Sequence, residues 1–129
     1  MTRWRQLVWF IGSLINSTVV IAASHHPQQF LESIRNTEEE GTQIVTHFCA
    51  NCHAIKPLIE LGAPKMHQDC DWHLRIKQGL DGLLKHTAEG YGAMPARGGC
   101  FECSDLQLKL AILAMLPIPD AKIINKTDS

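Results

Sequence analysis

Apolar residues along the chain change spacing several times, and each change predicts a boundary. From Leu7 to Ala23 they run nearly unbroken, interrupted by Gly12, Ser13, Asn16, Ser17 and Thr18. Residues 25–36 are largely polar and predict a leader without a defined element. Residues 38–48 predict the first helix, because Ile44, Val45 and Phe48 fall on one face of a helical period. Thr37 as N-cap, with Glu40 three positions on, has the form of a capping box that satisfies two unpaired backbone amides. Gly41 within this helix predicts a close approach by another helix. Pro57, Gly62 and Pro64 then predict an irregular loop over residues 54–68. Short helices follow over residues 72–78, starting from Asp71, and over residues 83–89, starting from Asp81, with Gly79 and Gly82 between them. The last helix is the clearest. Ser104 and Gln107 form a second capping box, Leu106, Leu110, Leu113 and Leu116 form a stripe, and Pro117 and Pro119 stop the run. That stripe predicts an inward face crossing the first helix. No segment alternates as a strand would, so the predicted class is all-α with three to four helices.

Two arginines, Arg3 and Arg5, precede the first apolar run, which ends in the small residues Ala22, Ala23 and Ser24. This arrangement is that of a secretory signal peptide, cleaved near Ala23 or Ser24. The polar interruptions make it a poorer membrane span, although an uncleaved anchor is the competing reading. The predicted organisation is therefore a signal segment over residues 1–24, a leader over 25–36, one domain over 37–117 and a polar tail over 118–129. The 129 residues carry 12 Lys and Arg against 13 Asp and Glu, a formal charge of −1. Lys56, Lys65, Arg75, Lys77, Lys85 and Arg97 are scattered, which argues against a nucleic-acid surface.

The chemistry sits at Cys49-Ala50-Asn51-Cys52-His53. CxxCH is a c-type haem attachment signature: two thiols at this spacing can bond the two vinyl groups of one porphyrin, and the adjacent imidazole can reach the iron. The plainer alternatives are a redox CxxC pair with an incidental histidine, or half of a zinc site. Export fits the haem reading, because covalent attachment in bacteria is completed outside the cytoplasm. It also fits a second cysteine pair, Cys100 and Cys103, in an oxidising compartment.

The sixth position on such an iron needs a second donor. Gly90-Tyr91-Gly92-Ala93-Met94-Pro95 is a non-helical run between helices, and Pro95 biases Met94 towards an extended backbone. A thioether presented from this loop favours ferrous iron and raises the reduction potential, as an electron carrier requires. The competing role for Met94 is filling a core gap. Met115 lies within the apolar last helix and Met66 close after His53, so neither is preferred. His47, His67, His73 and His86 are the histidine alternatives.

Trp72-His73-Leu74-Arg75-Ile76-Lys77-Gln78-Gly79, Leu84-Lys85-His86, Gly92-Ala93-Met94-Pro95-Ala96-Arg97-Gly98-Gly99-Cys100 and Cys103-Ser104-Asp105 closely resemble the cytochrome c5 family of small class I monohaem cytochromes. The resemblance spans about residues 37 to 116. It implies a class I cytochrome c fold around one covalently attached haem c, with Cys49 and Cys52 as thioether residues and His53 and Met94 as axial ligands. It also implies a disulfide between Cys100 and Cys103. Pro64 resembles the proline whose carbonyl accepts a hydrogen bond from the proximal imidazole, and Trp72 and Arg75 are candidate contacts to the haem edge or a propionate. Trp72 as plain core packing is an equal alternative.

The resemblance further implies a one-electron carrier of the bacterial periplasm, soluble or tethered to the inner membrane. Its expected partners are redox proteins such as a terminal oxidase or another periplasmic reductase, with no small-molecule substrate, no catalytic residues and no enzyme activity. Two other classes compete. One is a haem enzyme or gas sensor with a labile sixth ligand; the other is a four-cysteine zinc module built from Cys49, Cys52, Cys100 and Cys103. Cys70, between Asp69 and Asp71, is left over and reads as a free thiol in an exposed turn.

Overall fold

A computed structural model describes residues 26–118. The expected signal segment and all but the first residue of the expected tail lie outside the described residues. Among the described residues the chain is helical: α1 Pro27–Ile34, α2 Glu40–Ile44, a wide π turn Val45–Cys49, α3 Ala50–His53, α4 Asp69–Trp72, a 3-10 turn Ile76–Gln78, α5 Gly79–Glu89, a second 3-10 turn Ala96–Gly99, and α6 Asp105–Met115. No strand forms among them, and the isolated antiparallel bridge joins Tyr91 to Met94. No described helix is long and apolar enough to cross a membrane.

The crossing of α2 on α6 organises the core. A Cβ built on Gly41 would lie 2.4 Å from the Leu110 carbonyl oxygen and 3.4 Å from the Ala114 Cβ, so the two backbones meet where only glycine fits. Ile44 and Val45 from the first helical run are buried with Leu108, Ala111, Ile112 and Met115 of α6, and Leu80 and Leu83 of α5 complete the cluster.

Several sequence expectations need correction. The stretch expected to be a polar leader forms α1, with Leu31 and Ile34 buried and Phe30 packed against the core. Its signal is the short i, i+1, i+4 apolar set at positions 30, 31 and 34, masked by the polar residues between them. Thr37 does not cap α2. Its hydroxyl donates to the Ile34 carbonyl at 2.7 Å, and Glu40 instead accepts from the Asn36 backbone N–H at 2.8 Å and from Gln107 Nε2 at 2.9 Å. The helix expected from Asp71 starts earlier, at Asp69, and ends at Trp72. Gly79, at φ +74°, does mark the boundary between the 3-10 turn and α5, but Gly82 lies inside α5, which begins at Gly79 rather than near residue 83.

The leucine stripe of α6 does not face inward as a set. Leu106 is 65 % exposed, and the buried face is Gln107, Leu108, Ala111, Ile112 and Met115. Apolar residues surround this helix, so periodicity alone does not choose its inner face. The choice follows from Gln107. Its backbone N–H donates to Ser104 Oγ at 3.2 Å, its Oε1 accepts from the Ser104 N–H at 2.9 Å, and its Nε2 reaches Glu40 and, at 3.5 Å, the Leu31 carbonyl. One capping residue thus ties α6 to both α2 and α1.

Gly41→Ala forces apart two packed backbones, so a loss of about 1–3 kcal/mol in unfolding free energy is expected from denaturant titration of the holoprotein. An unchanged midpoint would mean that the crossing is looser than this geometry. Just before α6, Cys100 and Cys103 form a disulfide with Cα atoms 5.4 Å apart, both buried. Replacing both by Ser should lower stability by about 2 kcal/mol through the lost constraint on a short loop, with haem retained. Haem loss in that variant would show that the pair does more than brace the chain.

Candidate haem site

The CxxCH run occupies the end of the first helical stretch, where the π turn Val45–Cys49 widens the helix immediately before α3. Such one-turn widenings re-aim the side chains that follow and are frequent at functional sites. His53 is the last residue of α3 and is only 6 % exposed. Its Nδ1–H donates to the Pro64 carbonyl oxygen at 2.8 Å. A carbonyl can only accept, so this bond assigns the proton to Nδ1 and leaves the Nε2 lone pair for another partner.

Pro64 is held in place by the returning loop. The Met66 N–H donates to the His53 carbonyl at 2.8 Å and the Ile59 N–H to the Asn51 carbonyl at 2.9 Å. Trp72 is buried, and its Nε1–H donates to the Lys65 carbonyl at 2.8 Å, while the Lys65 N–H donates to Asp71 Oδ2 at 2.8 Å. That backbone donor holds the Asp71 carboxyl below its ordinary range, helped by Cys70, Arg75 and the Lys65 charge. The contact is therefore present at neutral pH and persists below the ordinary carboxylate value, being lost only as the pH falls through the lowered value of Asp71. His67 closes the loop: its N–H donates to the Met115 carbonyl at 2.9 Å and its Nε2–H to the Ala114 carbonyl at 2.8 Å, occupying carbonyls at the end of α6.

Met94 comes from the loop after α5. The Tyr91 N–H donates to the Met94 carbonyl at 3.1 Å and the Met94 N–H to the Tyr91 carbonyl at 3.0 Å, closing a tight turn through Gly92 at φ +59°. The Met94 methyl lies over Gly98, where a Cβ would stand 3.5 Å from it. Arg97 bonds the Cys103 carbonyl and Asp105 Oδ1, the latter at 3.0 Å, tying the far side of this loop to the start of α6.

These elements enclose a cavity of about 620 Å³. Its wall brings together Cys52, His53, Pro64, Trp72, Arg75 and Met94. Cys49 is half-buried and packs against the apolar cluster instead. Burial, with the Cys52 charge second, pushes the Cys49 thiol up to about 11. A redox-active CxxC pair has the opposite shift, so this environment disfavours that alternative. Arg75 is exposed, with its guanidinium bonded to the Asp71 carbonyl. Cys100 and Cys103 are bonded to each other, so they are not free to complete a four-cysteine site. No group of three or more His, Cys, Asp or Glu side chains suited to a metal ion occurs among the described residues. Cys70 is exposed, within α4 rather than in a turn.

Of the alternative histidines, His47 lies against Phe30 with ring centres 4.1 Å apart, and His73 bonds the Cys70 carbonyl at 3.1 Å. His86 alone among those alternatives lines the cavity, where its ring stacks on Tyr91. Sequence reasoning also missed the apolar wall supplied by Leu83, Ile112 and Met115. The helical periodicity of α5 and α6 could have put them on one side, but not which side faced His53. The cavity fits a porphyrin: a largely apolar lining, an imidazole with one nitrogen already committed, the Cys52 thiol beside it at the end of α3 and a neutral thioether from the loop after α5.

Residues 36–112 match the family described as cytochrome c oxidase, cbb3-type, subunit III. The chain is 42% identical over 74 residues to cytochrome c5 of Azotobacter vinelandii, covering 56% of this chain and 86% of the relative. It is 39% identical over 74 residues to cytochrome c5 of Ectopseudomonas mendocina, covering 56% and 82%. It is 36% identical over 72 residues to cytochrome c-555 of Chlorobaculum tepidum, covering 53% and 64%. No solved structure matches it. With its helical fold and haem-sized apolar cavity, the chain belongs to the cytochrome c family as a cytochrome c5-like electron-transfer protein, not an enzyme, that carries one covalently bound haem c.

Proposed function

We propose that this cytochrome is an exported one-electron carrier of the bacterial periplasm, with thioethers from Cys49 and Cys52 and axial ligation by His53 and Met94. The observation that carries the reading is the buried His53 ring, oriented by Pro64 at 2.8 Å in the tautomer that leaves Nε2 free. Met94, which lines the same cavity, would supply the second donor from a backbone-closed turn. Held by these residues, the haem would supply one-electron ferric/ferrous chemistry, with the Met94 thioether favouring the ferrous form.

The protein's own part is to keep both donors where they are. Pro64 and the loop bonds around it prevent rotation of His53, and the Tyr91–Met94 turn limits movement of the thioether. Trp72, Leu83, Ile112 and Met115, all buried, give the cavity an apolar lining. Low reorganisation of this kind suits exchange with larger redox proteins such as a terminal oxidase or another periplasmic reductase. Arg3, Arg5 and the apolar run to Ala23 support export, with a cleaved signal favoured over a tether to the inner membrane.

Replacing His53 by Ala should abolish the normal low-spin spectrum, and an unchanged spectrum would reject its axial role. Met94→Ala should admit carbon monoxide to the reduced protein and lower the potential measured by redox titration. An unaltered potential would remove Met94 from the site. Expressed at full length, the haem-bearing protein should fractionate with the periplasm; recovery in the cytoplasm would contradict export.

A further inference from the structure

Met94 is held unequally from its two sides. Downstream, the Gly98 N–H bonds the Pro95 carbonyl at 3.0 Å, Arg97 reaches Asp105, and the Cys100–Cys103 disulfide leads into α6. Upstream, the chain leaves α5 through Gly90 at φ +87°, which passes so close that a Cβ there would lie 2.9 Å from the Met94 carbonyl oxygen. The next residue, Tyr91, is 67% exposed, so burial does little to hold it. Its backbone nevertheless makes both hydrogen bonds that close the turn around Met94. Its ring lies on His86 of α5, with centres 4.4 Å apart and planes inclined by 27°. Both rings line the cavity.

We propose that Tyr91 is a positioning residue for Met94 and that its stack on His86 is the latch fastening the upstream side of the Met94 turn to α5. The inference rests on Met94 as the axial ligand. Tyr91 touches no reacting atom; it acts through the two backbone bonds it shares with Met94. The face-to-face contact is the side-chain attachment between turn and helix, and aromatic pairs of this geometry add attraction beyond the area they cover. Lost, it leaves the turn closed by two backbone bonds in an exposed segment, and Met94 spends more time away from its closed position. His86 serves here as a platform and not as a ligand.

The test is imidazole titration of the oxidised holoprotein, which reads how often the Met94 position opens, with the far-red sulfur-to-iron band followed in parallel. Tyr91→Leu and His86→Ala should each raise apparent imidazole affinity by about two- to tenfold, because the competent open fraction rises by the factor the stack had suppressed. Tyr91→Phe and His86→Phe keep a ring on a ring and should stay close to the parent protein. Unaltered affinity in both Tyr91→Leu and His86→Ala would overturn the latch while leaving Met94 as ligand. Loss of the low-spin spectrum in His86→Phe would overturn it by making His86 the ligand. A parent protein without the far-red band would overturn the Met94 assignment and the latch with it, an outcome separable from the first two.

Discussion

The hydrogen bond from His53 Nδ1 to the Pro64 carbonyl fixes two parts of the molecule at once. It sets the tautomer and plane of a buried imidazole, and it draws the irregular segment after the CxxCH run back across the end of α3. The surrounding bonds serve the same end. Lys65 receives Trp72 and is gripped by Asp71, Met66 returns to His53, and His67 reaches the end of α6. A loop with almost no regular structure is thereby held from both ends, which fixes the plane of the His53 ring.

The helical frame gives that loop something rigid to attach to. Gly41 lets α2 lie directly on the α6 backbone, and Gln107 bonds both Glu40 and the Leu31 carbonyl. These contacts orient α6 so that Ile112 and Met115 face the cavity while its last carbonyls meet His67. Packing, capping and cavity wall are consequences of the same crossing. This frame explains how a small helical chain can enclose a large apolar group without a sheet.

Features encoded locally were readable from sequence. The Ser104–Gln107 capping box, the irregular loop forced by Pro57, Gly62 and Pro64, and the close approach at Gly41 each depend on residues a few positions apart or on the absence of a side chain. Features decided by distant partners were not. Glu40 fits a local cap equally well, and only Gln107, far along the chain, selects its actual role. The inner face of α6 was ambiguous because leucines surround it, and α1 was hidden among polar residues. For the site, spacing singled out the CxxCH run and the Met-Pro loop, and the fold brings Cys52, His53 and Met94 to one cavity. The His86–Tyr91 stack has no sequence signature, since neither residue's spacing predicts a ring contact.

The most direct test is the absorption spectrum of the purified holoprotein in both oxidation states. The expected result is a covalently bound low-spin haem whose oxidised form alone shows the weak far-red band of a methionine sulfur on iron. Covalent haem without that band would contradict the His53/Met94 pair.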